Sequence, residues 1–307
     1  MTMTRREAIN AGAGTAVALG ASAGAPALFA QSGNLIKKTI PSSGEQITPV
    51  GIGTNRYGVG DDEAARTPLR DTMARFVELG GQVMDTAAVY GSSEAVIGDL
   101  QSELGIRDDL FIVTKTPMFG NVQGDVAVQG AFDRLKTDVI DGFLVHNFVN
   151  IATELPVLRE WQAQGKIRYI GASTSQDSDH ARMIDLIENE DVQLIQVNYS
   201  LGDRASAERV LPLAADQGVA VMINVPFGSS SLFDHVEGQE LPAWASDIGV
   251  SSWGQLFLKY IISHPAVTVA IPGTRRVEHV NDNIGAAMGR LPDAAERLRM
   301  EQWFDNL

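Results

Sequence analysis

A (β/α)8 barrel is the fold that the sequence predicts, because eight short apolar runs alternate with segments of helical period along 307 residues. Strand and helix in alternation give right-handed βαβ units and a parallel sheet, and eight such units favour closure of that sheet. A barrel of this kind occupies about 250 residues as one unit. No linker or low-complexity segment divides the rest of the chain, so residues 31–307 are predicted to form a single domain.

The predicted elements follow in order. A Ser-Ser-Gly turn between short extended pieces predicts a hairpin over residues 39–48, ahead of the barrel. Ser252 and Gln255 form a candidate capping box for a helix with one apolar stripe. Residues 292–304 are predicted to form one more helix, outside the eightfold repeat. The eight barrel strands are expected at residues 50–53, 82–84, 110–114, 142–145, 168–172, 194–195, 219–223 and 268–271.

The first thirty residues differ in composition from everything after them. Arg5 and Arg6 precede a stretch without charged side chains, from Ala8 to Ala30, made mostly of Ala and Gly. A paired-arginine start, a weakly apolar centre and small residues at the exit are typical of a twin-arginine export signal. A disordered Ala/Gly tail and an organellar transit peptide are the alternatives. We therefore predict a signal peptide over residues 1–30, the twin-arginine export machinery as a partner, and a periplasmic or exported protein that is cytoplasmic if the signal does not function.

The composition excludes several classes of function. A net charge of −14 repels nucleic acid, so a phosphate-bearing ligand needs a local positive site. The chain contains no cysteine, which excludes disulfides, thiolate catalysis and Cys-ligated metals. Without a lipidation cysteine or a second apolar span, no membrane anchor is expected on the mature protein.

Polar residues follow six of the predicted strands. In a parallel barrel these positions open on the C-terminal face, where active sites of this architecture are built. Any one of them alone would be an ordinary helix cap or surface residue, but the set is expected to converge. The six residues, in strand order, are Asp85, Lys115, His146, Ser173, Gln196 and Asn224.

Four side chains near this rim suit acid–base chemistry. A tyrosine phenol ordinarily has a pKa of about 10, and a nearby ammonium stabilises the phenolate and lowers that value. Tyr90 beside Lys115 would form such a pair, with Asp85 holding the lysine. His146 could donate or orient a hydrogen bond to a substrate oxygen. The set suits protonation of an oxygen on which negative charge develops, as in the reduction of a carbonyl.

These motifs resemble the aldo-keto reductase family, and the likeness runs from about Lys38 to Ala287. Residues 84–98, MDTAAVYGSSEAVIG, are similar to the family signature that carries the catalytic Asp and Tyr. The other similar segments are 49–54 (PVGIGT), 113–116 (VTKT), 144–147 (LVHN), 170–173 (IGAS), 196–201 (QVNYSL) and 271–279 (IPGTRRVEH).

The resemblance implies a role for each matching residue. Tyr90 would be the general acid, Lys115 and Asp85 its tuning pair, and His146 the group that orients the carbonyl. The cofactor would be NADP(H) in preference to NAD(H), with no metal, and the pyrophosphate would lie against the 228–231 loop. The implied cofactor-binding residues are Gly53, Thr54, Ser173, Thr174, Gln196, Asn224, Gly228, Ser229, Ser231, Gly273, Thr274, Arg275, Arg276, His279 and Asn283.

Two features bear on that cofactor. Arg275 and Arg276 stand at the start of the helix after strand eight, where backbone N–H groups already favour an anion. Two guanidiniums suit a 2′-phosphate, although a pair of surface arginines is the alternative. Thr174 stands where the family often has Asn, and Asn224 stands where it often has an aromatic residue, so ring orientation or affinity is expected to differ from typical members.

The predicted function is reduction of aldehydes, ketones or sugar carbonyls. Two alternatives remain at this stage: a non-catalytic nucleotide-binding redox sensor, as in potassium-channel β subunits, and a sugar or alcohol dehydrogenase that works in the oxidative direction. Aromatic and apolar side chains on loops after strands are candidate pocket walls, or else ordinary packing beneath a loop. They are Tyr57, Met118, Phe119, Phe148 and Phe227.

Overall fold

The computed structural model describes residues 35–120 and 122–307 of the chain, all of which fall in one compact unit. The predicted signal peptide, residues 1–30, lies outside the described residues. In the part that is described, no helix combines the length and the apolar character needed to cross a membrane.

The predicted hairpin is confirmed. Strands β1 (Lys38–Thr39) and β2 (Gln46–Ile47) pair in antiparallel fashion, and Gly44 between them has a φ of 78°, a left-handed conformation that glycine adopts without steric cost. The barrel strands are β3 Ile52–Gly53, β4 Val83–Asp85, β5 Phe111–Lys115, β6 Ile140–His146, β7 Ile167–Ser173, β8 Leu194–Asn198, β9 Ala220–Asn224 and β10 Val269–Ala270.

These eight strands confirm the predicted barrel. They are parallel, and they lie side by side in chain order from β3 to β10. The two edges of the sheet then meet, because the amide of Gly51 donates to the carbonyl of Ala270 at 2.8 Å and the amide of Gly53 donates to Pro272 at 2.9 Å. This seam between the first and the last strand closes the sheet.

Helices alternate with the barrel strands. Helix α1 begins after Asp62, whose carboxylate accepts hydrogen bonds from two backbone amides of the first turn. The helices of the described residues are α1 Glu63–Glu78, α2 Ser93–Leu104, α3 Gly124–Leu135, α4 Ile151–Ala163, α5 His180–Asn189, α6 Val210–Asp216, α7 Ser231–His235, α8 Trp253–Ile262, α9 Val277–Gly285 and α10 Ala294–Asp305.

The capping box predicted for α8 is only half formed. The Ser252 hydroxyl accepts from the amide of Gln255 at 3.1 Å, as expected. The Gln255 side chain instead accepts from the amide of Ser251, because its own NH2 group is drawn to Asp282 on α9. The predicted C-terminal helix is present as α10, where Asp293 and Glu296 do form a reciprocal capping box.

Strand periodicity brings the polar residues to one place. Successive side chains of a strand point to opposite faces, and each of the six predicted rim residues stands an even number of positions beyond an interior apolar residue of its own strand. The interior cluster also includes two residues of the hairpin region, which covers the opposite end of the barrel. Its members are Ile40, Ile47, Val83, Phe111, Val113, Leu144, Tyr169, Leu194, Ala220, Met222, Val269 and Ile271.

A glycine sets the spacing of two central strands. A Cβ atom on Gly171 would lie 1.8 Å from the carbonyl oxygen of Leu194, which is shorter than any real contact, so only glycine allows β7 to approach β8 so closely. Two residues further on, Ser173 pairs in register with Gln196. The close approach therefore places two rim side chains next to each other.

Candidate active site

A buried ion pair forms the floor of the site. Lys115 Nζ lies 2.6 Å from Asp85 Oδ1, and the two side chains are only 1% and 4% exposed. The ammonium also donates to the carbonyl of Thr86 at 2.8 Å, and the Gln196 amide donates to the same Asp85 oxygen at 2.8 Å. Burial raises the pKa of the Asp85 carboxyl, while Lys115 and Gln196 act in the opposite direction.

Tyr90 lies above this pair in the turn that follows β4. Its ring meets the His146 ring edge to face, with centroids 6.4 Å apart and planes at 88°, and Lys115 Nζ lies 5.7 Å from its ring centre. The loop after β3 fixes the backbone here, since a Cβ atom on Gly58 would come within 2.4 Å of the Tyr90 carbonyl oxygen. The phenol and the imidazole thus share one small space.

The expectation that Lys115 lowers the pKa of Tyr90 is wrong for this arrangement. Burial and the charge of Asp85 raise the pKa of the phenol above its ordinary value of 10.0. The Lys115 ammonium has its closest contacts with Asp85 and Thr86. The negative charge of the nearby Asp85 carboxylate opposes formation of a Tyr90 phenolate. Tyr90 is therefore fully protonated at neutral pH, as a proton donor must be.

His146 is neutral. Burial, with a further contribution from the charge of Lys115, lowers its pKa from 6.5 to about 3. Its backbone amide is held by the Thr116 hydroxyl at 3.2 Å, whereas its Nδ1 atom is buried without a hydrogen-bond partner among the described residues. A neutral imidazole with one N–H donor suits a hydrogen bond to a polar ligand.

Further polar groups lie on the next strands. The buried Ser173 hydroxyl has no partner within the described part of the chain, and Asn224 Nδ2 donates to the carbonyl of Thr174 at 2.8 Å. The Thr174 side chain turns away, because its hydroxyl donates to Asp179 and accepts from the amide of Gln176. Buried polar atoms ordinarily have partners, so the Ser173 hydroxyl indicates a place for a ligand.

A cavity of about 740 Å³ opens at the C-terminal face, and Lys115 is not among its wall residues. The groups described above that do line it are Asp85, Tyr90, His146, Ser173, Gln196 and Asn224. Three of the predicted cofactor residues, Thr174, Gly228 and Ser231, lie outside its walls; the Ser231 hydroxyl donates to Gly228 within its own loop. The predicted cofactor residues that do line the cavity are Gly53, Thr54, Ser173, Gln196, Asn224, Ser229, Gly273, Thr274, Arg275, Arg276, His279 and Asn283.

The predicted aromatic walls divide into two groups. Tyr57 and Phe227 line the cavity. Phe119 does not, since it is 77% exposed on the loop after β5, and Phe148 is buried beneath the guanidinium of Arg182 at 4.6 Å from its ring centre. The prediction that these two residues line the pocket is corrected on these grounds. Met118, which also lies outside the cavity walls, has its sulfur 3.6 Å from the Asn147 amide.

Sequence reasoning missed several residues of the cavity wall. Asn147 follows His146 directly, so its place at the rim could have been inferred from the strand end. Phe233 packs against Phe227 with ring centres 5.0 Å apart, a contact between α7 and the preceding loop that no local pattern indicates. The other missed residues include Asn55, Arg56, Val225, Ser230 and Asp282.

The cavity has the features that a dinucleotide needs. Ser229 and Ser230 have φ values of 55° and 85°, a left-handed run that presents loop backbone toward an anion. Arg275 and Arg276 are exposed at the N-terminus of α9, and neither forms an ion pair with a described residue. In residues 35–120 and 122–307, no group of three or more His, Cys, Asp or Glu side chains could hold a metal ion.

A barrel with a neutral phenol and imidazole above a buried ion pair, beside a cavity that two exposed arginines also line, defines a nicotinamide-dependent oxidoreductase. The sequence profile of the Aldo/keto reductase family matches residues 49–296. The chain belongs to this family, and it is an NAD(P)H-dependent oxidoreductase.

Individual relatives agree with this assignment. The chain is 30% identical to the methylglyoxal reductase YeaE of Escherichia coli over 80% of its own length and 88% of that protein. It is 26% identical to an NADH-specific methylglyoxal reductase of the same organism, over 86% and 98% of the two chains. A Klebsiella pneumoniae aldo-keto reductase, solved in complex with NADPH, superposes with a TM-score of 0.75 at 25% identity over 88% and 96%.

Proposed function

We propose that this protein uses NADPH to reduce small aldehydes and ketones, with Tyr90 as the proton donor. The observation that supports the role of Tyr90 most directly is its position, edge to face with the neutral His146 and above the Asp85–Lys115 pair. These four residues form one polar group around the place where a carbonyl oxygen would lie.

Tyr90, His146 and Lys115 each have a separate role in the proposed reduction. A bound reduced nicotinamide supplies the hydride for the carbonyl carbon, so negative charge develops on the carbonyl oxygen. Tyr90 is protonated, because burial raises its pKa, and donates its proton to that oxygen. The neutral His146 donates a hydrogen bond to the same atom. Lys115, held by Asp85 at 2.6 Å, offsets the negative charge of that carboxylate, which would otherwise oppose the remaining phenolate more strongly.

The preference for NADPH rests on Arg275 and Arg276. Both are exposed cavity residues at the N-terminus of α9, where guanidinium groups suit a 2′-phosphate. The names of the two E. coli relatives do not decide the matter, because one of them is NADH-specific. Replacing either arginine with alanine should raise the KM for NADPH about tenfold, as expected for the loss of a charged hydrogen bond, and leave the KM for NADH unchanged. An equal rise for both cofactors would contradict this role.

The substrate is proposed to be a small carbonyl compound, with α-oxoaldehydes as the first class to test. Two E. coli relatives are named as methylglyoxal reductases. In this chain a single cavity of about 740 Å³ must accommodate both the dinucleotide and the carbonyl. Its walls include the aromatic rings of Tyr57 and Phe227, which suit a small carbonyl compound better than a large polar sugar.

A carbonyl panel tests the proposal. Aldehydes, ketones, α-oxoaldehydes and sugars are assayed with NADPH and with NADH, and the corresponding alcohols are assayed with the oxidised cofactors. Tyr90→Phe should lower kcat by about 10²–10⁴-fold. Tyr169→Phe, at the opposite end of the barrel, is the matched control and should keep kcat. Full turnover by Tyr90→Phe would refute the role of Tyr90 as proton donor. Faster oxidation of the alcohols than reduction of the carbonyl compounds, at equal driving force, would favour a dehydrogenase.

A second candidate function is nucleotide-dependent sensing without turnover. The intact set of Asp85, Tyr90, Lys115 and His146 favours catalysis over it. If no carbonyl of the panel were reduced while NADPH bound tightly, the sensor would be the better account.

We also propose that the twin-arginine-type segment, residues 1–30, exports the protein with its cofactor already bound. Arg5, Arg6 and the uncharged stretch after them support the signal, and this export route carries folded proteins. Reduced nicotinamide is made in the cytoplasm, so an exported enzyme would need to carry its own. Protein purified from the periplasm should contain stoichiometric nucleotide; an empty periplasmic protein, or retention in the cytoplasm, would overturn the proposal.

A further inference from the structure

Asn224 carries a polar atom that the structure leaves without a partner. Its Nδ2 atom donates to the carbonyl oxygen of Thr174 at 2.8 Å. A carbonyl oxygen can only accept, so this contact fixes the NH2 group of the side-chain amide and directs Oδ1 elsewhere. Asn224 Oδ1 is buried and has no hydrogen-bond partner among the described residues, although the residue lines the cavity. A buried acceptor in a cavity wall indicates a donor on the ligand.

The orientation of Asn224 is also coupled to the ion pair. Its Nδ2 atom lies 3.4 Å from Gln196 Oε1, and the other end of the Gln196 amide donates to Asp85 at 2.8 Å. A chain of side-chain amides thus runs from Asn224 to the Asp85–Lys115 pair. Asn224 therefore lies beside the polar groups around which the reaction is proposed to occur.

Ser173 supplies the complementary group. Its hydroxyl is buried, unpaired within the described residues and part of the same wall, and it can donate a hydrogen bond. A primary carboxamide offers one acceptor oxygen and one NH2 donor, which is the complement of a hydroxyl donor and an amide oxygen. Thr174 offers no side-chain group, because Asp179 and Gln176 occupy its hydroxyl.

We propose that Asn224 Oδ1 accepts a hydrogen bond from the carboxamide nitrogen of the nicotinamide, and that Asn224 is the residue that fixes the orientation of the ring. The inference rests on the proposed function, since it assumes a nicotinamide nucleotide in this cavity. The carbonyl of Thr174 acts only as the support that aims the Asn224 side chain.

The test compares two oxidised nucleotides. In the 3-acetylpyridine analogue of NADP⁺, a methyl group replaces the carboxamide NH2 group, so the analogue lacks the donor that Asn224 would receive. Calorimetry on the unaltered protein should give a Kd for the analogue about tenfold above that for NADP⁺, which corresponds to 1.4 kcal/mol. In Asn224→Ala the two Kd values should become nearly equal, because NADP⁺ loses its advantage.

Two further variants make the result interpretable. Asn224→Leu keeps the branched shape and the number of side-chain heavy atoms, and should also abolish the difference. Asn198→Ala is the matched control: Asn198 pairs with Asn224 in register on the adjacent strand, but its amide binds Asp177 and Asp203, so the tenfold ratio should persist. Circular dichroism and thermal melting show whether each variant is folded.

The outcomes separate this inference from the proposed function. If the unaltered protein binds both nucleotides equally, or if the ratio survives in both Asn224 variants, the inference is wrong and the proposed function stands. If neither variant folds, the ratio in the unaltered protein still decides it. If the unaltered protein binds no nucleotide at all, both proposals fail together.

Discussion

The two ends of the barrel use buried polar groups in opposite ways. At the N-terminal end, the Asp141 carboxylate pairs with Arg107 at 3.0 Å and with Arg168 at 2.7 Å, and accepts from the amide of Ile112. Arg168 continues to Glu45 in the hairpin region at 2.6 Å. A cavity of about 790 Å³ lies there too, but the charged groups of this network have partners. At the C-terminal end, by contrast, His146, Ser173 and Asn224 each keep a buried atom without one.

This difference separates the buried polar groups that stabilise the fold from those that are positioned to bind a ligand. Paired groups at the N-terminal end fasten the hairpin to the barrel. Unpaired groups at the C-terminal end lower the stability of the free protein and are positioned for something that binds. The two cavities are similar in size, about 790 Å³ and 740 Å³, so size does not identify the site. The paired polar atoms of the N-terminal cavity argue against a ligand there.

The largest effect should come from breaking the C-terminal ion pair. Lys115→Met leaves Asp85 buried and unpaired, which should lower the free energy of unfolding by about 3–5 kcal/mol and kcat by about 10²–10⁴-fold. Urea unfolding and steady-state kinetics measure the two. Arg168→Met at the other end is the control, and a similar loss of kcat there would break the comparison between the ends.

Asp141→Asn should lower stability and leave catalysis alone. The carboxylate is buried, but both of its arginine partners are partly exposed, so we expect a loss of about 1–3 kcal/mol in the free energy of unfolding. The kcat at a temperature where the variant is folded should match that of the unaltered protein. If kcat fell tenfold, the N-terminal network would have to be coupled to the site.

Two histidines sharpen the comparison in acid. Burial lowers the pKa of His146 to about 3 and that of His264, near the N-terminal end, to about 4. Both imidazoles are neutral in the folded protein at neutral pH. In the unfolded chain both have the ordinary histidine pKa of about 6.5. The unfolded state therefore binds more protons below pH 6.5, and stability falls as the pH drops from there toward the folded values.

Between pH 7.5 and pH 5, the free energy of unfolding of His146→Gln should therefore fall by about 1–2 kcal/mol less than that of the unaltered protein. His264→Gln should show a smaller change of the same sign, because that ring is partly exposed and solvent screens its charge. Only His146→Gln should also lose activity. Denaturant melts at the two pH values, together with kcat at pH 7.5, check all three statements.

The smallest effect is expected at Phe119. Its ring is 77% exposed and lies outside the cavity walls, so Phe119→Ala should change the free energy of unfolding by less than about 0.5 kcal/mol and leave the KM for small aldehydes unchanged. Phe227→Ala, inside the cavity wall, should raise that KM. A large effect of Phe119→Ala would show that its loop closes over the substrate.

Local periodicity explains what the sequence could predict. Asp85, Lys115 and His146 each end an apolar strand, an even number of positions after a residue that points into the barrel. Their convergence therefore follows from strand alternation and barrel closure alone. The pKa of Tyr90 could not be inferred this way, because it depends on how deeply the phenol is buried and on how close it comes to the Asp85 carboxylate in the folded turn. The cover that Arg182 gives to Phe148 likewise joins segments that are distant in the chain, and no local pattern encodes such a contact.

The seam of the barrel has a consequence for how the protein folds. Gly51 and Gly53 on one side bond to Ala270 and Pro272 on the other, and the cavity walls include residues from both sides. Contacts between segments this far apart in sequence form late, because a long loop must close first. We therefore expect the nucleotide site to be among the last features to be completed during folding, and a ligand that binds only the closed barrel would stabilise it against opening at the seam.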